Sequence, residues 1–82
     1  MSIEAIIGKI LKSLRIKRGL SQEELAFQSN LDRTYISMLE RGIHQPTIST
    51  LISLSKPLNI KPSDFMKLIE QELVLDKTEE DT

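Results

Sequence analysis

The sequence predicts an all-α fold of five short helices, and three observations carry that prediction. Apolar residues near the start recur at three- and four-residue spacing, the mark of one buried helical stripe. Residues suited to opening and closing helices punctuate the chain at short intervals, from Ser2 to Ser63,. Nowhere do apolar and polar residues alternate as they would in a half-buried strand,.

Taken in order, Ile3, Ile6, Ile7, Ile10, Leu11 and Leu14 form the stripe of the first helix, with Ser2 as its cap and Gly19 as its stop,. Ser21 and Glu24 make a capping box for a second helix that runs to about residue 28. Leu20 and Leu25 stand at the spacing of a hydrophobic staple,. Asn30 tolerates left-handed backbone and turns the chain. Asp32 is expected to cap the third helix, Leu31 and Ile36 repeat the staple spacing, and Gly42 ends it. Thr47 is expected to cap a fourth helix carrying Ile48, Leu51, Ile52 and Leu54, which Pro57 should end near Ser55 or Lys56,. Ser63, after Pro62, is expected to cap a fifth, in which Phe65, Leu68, Ile69 and Leu73 fill one stripe. The reading gives one domain over residues 1–75 and an acidic, flexible tail over 76–82.

Composition bounds the function. The chain has 82 residues, enough for one modest core,. It has no cysteine, which removes disulfides, thiolate metal sites and thiol nucleophiles, and its one histidine makes a metal site unexpected,. The longest apolar run is too short for a membrane span, so a cytoplasmic protein is expected, with no cofactor, no small-molecule ligand and no membrane partner. The net charge is -1, but it is unevenly placed. Residues 1–20 carry Lys9, Lys12, Arg15, Lys17 and Arg18 against Glu4. Residues 70–82 carry six acids against Lys77, so the rest of the chain is net basic,.

The third helix poses the functional question. Ile36 and Leu39 can face a core, while Arg33, Thr34, Ser37, Met38 and Arg41 fall on the other side. A plain αα-hairpin would account for helices two and three, yet both are short for antiparallel bundle packing. The outward face also lacks the Glu/Lys mixture of an idle solvated surface. A guanidinium, hydroxyls and a thioether suit base edges: arginine can pair with guanine O6 and N7, and threonine or methionine can meet a thymine methyl.

These residues carry a resemblance. Over residues 22–41 the chain resembles the helix-turn-helix of the phage repressor and Cro family, through Leu25 and Ala26, the turn at Asn30 (usually glycine in the family), and Ile36 and Leu39. With the flanking "RIKRGLSQEELA" and "LERG" the likeness extends over roughly residues 5–72, and it implies a compact five-helix, lambda-repressor-like DNA-binding domain. Within the family, "SNLDRTYIS" followed by "ER" looks most like the controller proteins of restriction-modification systems, stand-alone dimers that regulate their own operon and the nuclease gene.

The resemblance implies roles. Arg33, Thr34, Ser37 and Met38 would read bases. Gln22, Tyr35, Arg41, His44, Gln45, Thr47 and Ser49 would meet the DNA backbone or its shape, with His44 standing where some controllers have a basic residue. Arg15 and Glu40 would form a partly buried ion pair joining the first helix to the third. The partners implied are a double-stranded operator and a second copy of the chain, and RNA polymerase is allowed as a third. Because Met66, Val74 and Leu75 exceed what one small core can cover, the dimer interface is expected at Met66, Ile69, Leu73 and Val74,. Two alternatives compete. Ser53 to Lys56 spells S-x-x-K, but without a surrounding catalytic motif the chain is not expected to be an enzyme,. The same fold could instead act as an antitoxin or adaptor through a protein partner.

Overall fold

The computed structural model describes residues 1–80, with side chains through residue 75. Its elements are α1 (Ile3–Lys17), α2 (Gln22–Ser29), α3 (Arg33–Glu40), α4 (Ile48–Ser55) and α5 (Pro62–Glu80), and no strand occurs among the described residues. Expected boundaries and observed ones agree closely where a local cap sets them. Ser2 Oγ accepts from the Ala5 N–H at 3.1 Å, and Thr47 Oγ1 accepts from the Thr50 N–H at 3.1 Å. In the capping box, Glu24 N–H donates to Ser21 Oγ at 3.0 Å while Ser21 N–H donates to Glu24 Oε1 at 2.9 Å.

The first four helices end in one way. Gly19, Asn30, Gly42 and Asn59 all have left-handed φ between 56° and 74°. In each case the following N–H reaches back to a carbonyl five residues before it: Leu20 to Arg15, Leu31 to Ala26, Ile43 to Met38 and Ile60 to Ser55. This is the Schellman arrangement, which satisfies carbonyls the helix itself leaves open. Leu20, Leu31 and Ile60 then pack against the core. The fourth helix stops at Ser55, where Pro57 was expected to end it, but the left-handed turn at Asn59 was not expected. The chain keeps a helical course past Pro57, with Leu58 N–H bonded to Leu54 O at 3.3 Å, and turns only at Asn59.

Two expected caps and two expected stripes differ from what is found. Asp32 occupies the N-cap of α3, but its side chain makes no capping hydrogen bond. Ser63 lies inside the first turn of α5, because Pro62 takes the first helical position, where its missing N–H costs nothing, and Lys61 O accepts from Asp64 and Phe65,. Ile3 remains exposed, since packing against the end of α3 begins only at Ala5, beside Gly42. In α4, Ile48 and Ile52 are 66% and 53% exposed, and only Leu51, Leu54 and Ser55 turn inward.

The core is aliphatic around Phe65, drawing Ile6, Ile7, Ile10 and Leu11 from α1, Leu25 and Ala26 from α2, Ile36 and Leu39 from α3, and Leu51 and Leu54 from α4. Ile69 belongs to it at 2% exposure. It is therefore unavailable as an interface residue, while Met66, Leu73 and Val74 are exposed. The backbone of α5 continues to Glu80; the side chains of 76–80 and residues 81–82, the rest of the expected tail, lie outside the described residues. Buried Ser29 and Ser55 are satisfied by donating to carbonyls four residues back, at 2.5 Å and 2.7 Å,.

At Gly8 the backbones of α1 and α3 approach so closely that a Cβ would stand 2.4 Å from Leu39 O and 2.8 Å from Glu40 O. Gly8→Ala brings a helix-propensity gain of at most about 1 kcal/mol, against an overpacking cost of roughly 1–3 kcal/mol with backbone on both sides. The clash should win: urea unfolding is expected to show a lower midpoint for Gly8→Ala than for the parent. A second expectation concerns pH. The Ser21 backbone N–H, and then its hydroxyl, hold the Glu24 carboxyl below its ordinary value of 4.5. Its contribution is thus present above the unfolded-state value and is lost as pH falls through the lowered folded-state value. Titration of the Glu24 carboxyl carbon by NMR should find its midpoint below 4.5.

Candidate nucleic-acid interface

Two eight-residue helices meet at Asn30, and what fixes the second is the first helix of the chain. Isolated helices this short are unstable in water, so α3 depends on its neighbours. Ile36 and Leu39 are fully buried on its inner face, and Glu40 closes its last turn onto α1. Arg15 Nε donates to Glu40 Oε2 at 2.6 Å and a terminal nitrogen to Oε1 at 3.0 Å, a bidentate pair,. The other terminal nitrogen donates to Leu20 O at 2.9 Å, tying in the α1–α2 turn. Hydrogen bonding to Glu40 raises the already high pKa of Arg15, burial opposes it, and the charge of Glu40 adds to the rise, so the guanidinium stays charged. Side-chain exposures of 13% and 4% make this a scaffold contact.

Gln22 joins the same network. Its amide nitrogen donates to Glu40 Oε1 at 3.1 Å, so the side chain expected at a phosphate is turned inward to the carboxylate. Thr47 is likewise engaged, as the cap of α4 and in a hydroxyl pair with Thr50 at 3.0 Å.

The outward side of α3 is different. Arg33 and Thr34 are exposed in its first turn, Ser37 and Met38 are half-buried one turn on, and Arg41 is exposed at its end. Among the described residues neither Arg33 nor Arg41 has an ion-pair partner. Tyr35 packs partly against the core, and its ring lies 6.4 Å from that of His44 at a 43° tilt, drawing the loop after α3 toward the helix. Gln45 and Ser49 are exposed beyond it. The structure thus gathers Arg33, Thr34, Ser37, Met38, Arg41, Tyr35 and His44 around one helix, and it separates Gln22 and Thr47 from them by giving each an internal partner.

Two features of this region had weak signals or none. Gly8 interrupts an apolar helical stripe, which could have marked a close backbone approach. Phe27, on the outer side of α2, is 86% exposed, and helical spacing alone gives no sign of that. Among the described residues no group of histidine, cysteine or carboxylate side chains could hold a metal, and no helix is long and apolar enough to cross a membrane. Ser53, on α4, and Lys56, just past its end, are both exposed members of the S-x-x-K string.

Comparison with known proteins agrees with this geometry. The helix-turn-helix family model matches residues 11–65. Control protein C.BamHI of Bacillus amyloliquefaciens is 36% identical over 66 residues, spanning 79% of this chain and 82% of that protein. Control protein C.SmaI of Serratia marcescens is 48% identical over 59 residues, spanning 72% and 70%. Among solved structures, the restriction-modification controller C.Esp1396I, as a tetramer on its natural 35 base-pair operator, superposes with a TM-score of 0.80 at 34% identity, covering 90% of this chain and 97% of that one.

The ion pair makes a prediction that separates scaffold from readout. Removing one partner strands the other in a largely buried place, so Glu40→Ala should lose about 3 kcal/mol. The double change Arg15→Met, Glu40→Leu should lose less than Glu40→Ala alone. Urea unfolding of the three chains measures both, and a smaller loss for Glu40→Ala than for the double change would refute the assignment.

Proposed function

Because the chain belongs to the helix-turn-helix family, as a DNA-binding regulator of the restriction-modification controller type, we propose that it binds a palindromic operator as a homodimer and controls a restriction-modification operon that includes its own gene. The observation that carries the reading is the two-sidedness of α3. Its inner face is locked by Ile36, Leu39 and the Arg15–Glu40 pair, and its outer face presents Arg33, with no ion-pair partner among the described residues, beside Thr34 at the start of the helix.

On this reading α3 lies in the major groove. Arg33 donates bidentately to guanine O6 and N7, Thr34 contacts a neighbouring base or its phosphate, and Ser37 and Met38 extend the contact by one turn. Arg41, Gln45 and Ser49 meet the phosphates that set register, and the Tyr35–His44 edge follows groove shape. A two-fold dimer places two such helices one turn of DNA apart, about 34 Å, over the halves of a palindrome. The operator-bound tetramer of the similar controller C.Esp1396I supports operator binding as the activity.

The two arginines should fail differently. Arg33→Ala is expected to weaken binding to the operator by roughly 10- to 100-fold and to relax the preference at one base pair, with nonspecific affinity nearly unchanged. Arg41→Ala should weaken all duplexes alike and lower the salt slope by about one. Fluorescence titrations over several salt concentrations measure both effects. Equal losses of Arg33→Ala on operator and random duplex would remove Arg33 from base readout.

A further inference from the structure

The chain has one histidine, and it stands at the candidate interface. His44 is exposed in the loop after α3, with its ring 6.4 Å from that of Tyr35. Ile43 N–H bonds to Met38 O at 3.0 Å, which holds the start of that loop on the last turn of α3. Arg41 precedes His44 and Gln45 follows it, and both are exposed. No carboxylate is at hand to balance a charged imidazole. Glu40 is taken up by Arg15 and Gln22, α4 carries no charged residue, and the next acid along the chain is Asp64. The titratable groups beside it are the Tyr35 phenol and the Arg41 guanidinium, and the second repels a proton. Among the described residues His44 has no ion-pair partner.

We infer that DNA binding by this chain takes up a proton at His44, whose charged imidazole meets a phosphate beside the groove that α3 enters; the inference rests on the DNA-binding reading above. Histidine is the side chain that ordinarily changes charge between about pH 5 and pH 8. Carboxylates stay ionised and lysine and arginine stay charged over most of that window, so one residue carries the side-chain response. A phosphate favours the charged form, and nothing within the free chain does the same for His44. The DNA-bound chain therefore keeps the proton to higher pH than the free chain. By linkage, the added affinity is full below the free-chain midpoint and is lost as pH rises through the DNA-bound one. Arg41 gives the same edge a charge that does not vary, so binding persists at high pH and His44 adjusts its strength.

Fluorescence titrations of a duplex selected from a random library, at fixed ionic strength, test this. Between about pH 7.5 and about pH 5.5 the parent should gain about threefold in affinity per protomer, or about tenfold as a dimer. Its salt dependence should be steeper at the lower pH. His44→Gln should bind throughout as the parent does at the higher pH, and His44→Lys as the parent does at the lower. A ring that only shapes the loop against Tyr35 would be lost in both variants alike, with no recovery by lysine. A parent without pH dependence, or a dependence that His44→Gln retains, overturns the inference and leaves selective DNA binding standing. No preference for any duplex at either pH overturns the DNA-binding reading itself. NMR of the parent decides without a variant. The ring proton of the single histidine should titrate at higher pH with the duplex than without it, and an unchanged midpoint counts against the phosphate contact.

Discussion

The seam between α1 and α3 is the constraint on which the rest of the structure depends. At one point the two backbones touch through Gly8, leaving no room for a methyl group against Leu39 O. Farther along α1, Arg15 closes on Glu40 with two hydrogen bonds and reaches Leu20 O with a third. Together these contacts fix both the distance and the register of α3 against α1. A buried ion pair of this kind adds little to stability over an apolar replacement, but it is costly to break and specific in geometry. Register is what a groove-reading helix requires, because a shift of one residue turns a different side chain toward the bases.

Short helices make that anchoring necessary. α2, α3 and α4 have eight residues each, too few to be stable alone. The chain compensates at their ends. α2 and α4 have side-chain N-caps, and all three close with a left-handed residue. The exception at an N-terminus is α3, whose cap position Asp32 makes no side-chain bond. The helix that presents Arg33 and Thr34 is therefore held by its burial and by its last turn. Its start stays open, where the proposed DNA contacts are made.

Much of this was legible in the sequence because it is local. Ser2, Ser21 with Glu24, Asn30 and Thr47 act within a few residues of themselves, and their residue types report their backbone roles directly. What stayed illegible depends on distance across the fold. Periodicity tells which face of a helix is apolar, but not how much of that face a neighbour reaches. Ile48 and Ile52 therefore looked like core and are exposed, and Ile69 looked like interface and is buried. Pro57 drew attention to the end of α4 and hid Asn59, where the chain turns. Gln22 shows the same limit in the site: an amide at a helix start suits a phosphate, and only the fold brings Glu40 within 3.1 Å of it. The outward residues of α3 were legible for the opposite reason, since a helix whose inner face is fixed leaves its outer face determined.

In the proposed function a rigidly held α3 reads base edges, so that binding is selective and not merely electrostatic. Selection of bound duplexes from a random library, at low and at raised salt, tests it most directly. Recovery of one palindrome with half-sites about one helical turn apart is expected, persisting as salt rises while other duplexes are lost. Recovery of no preferred sequence, with all duplexes released alike as salt rises, would contradict it.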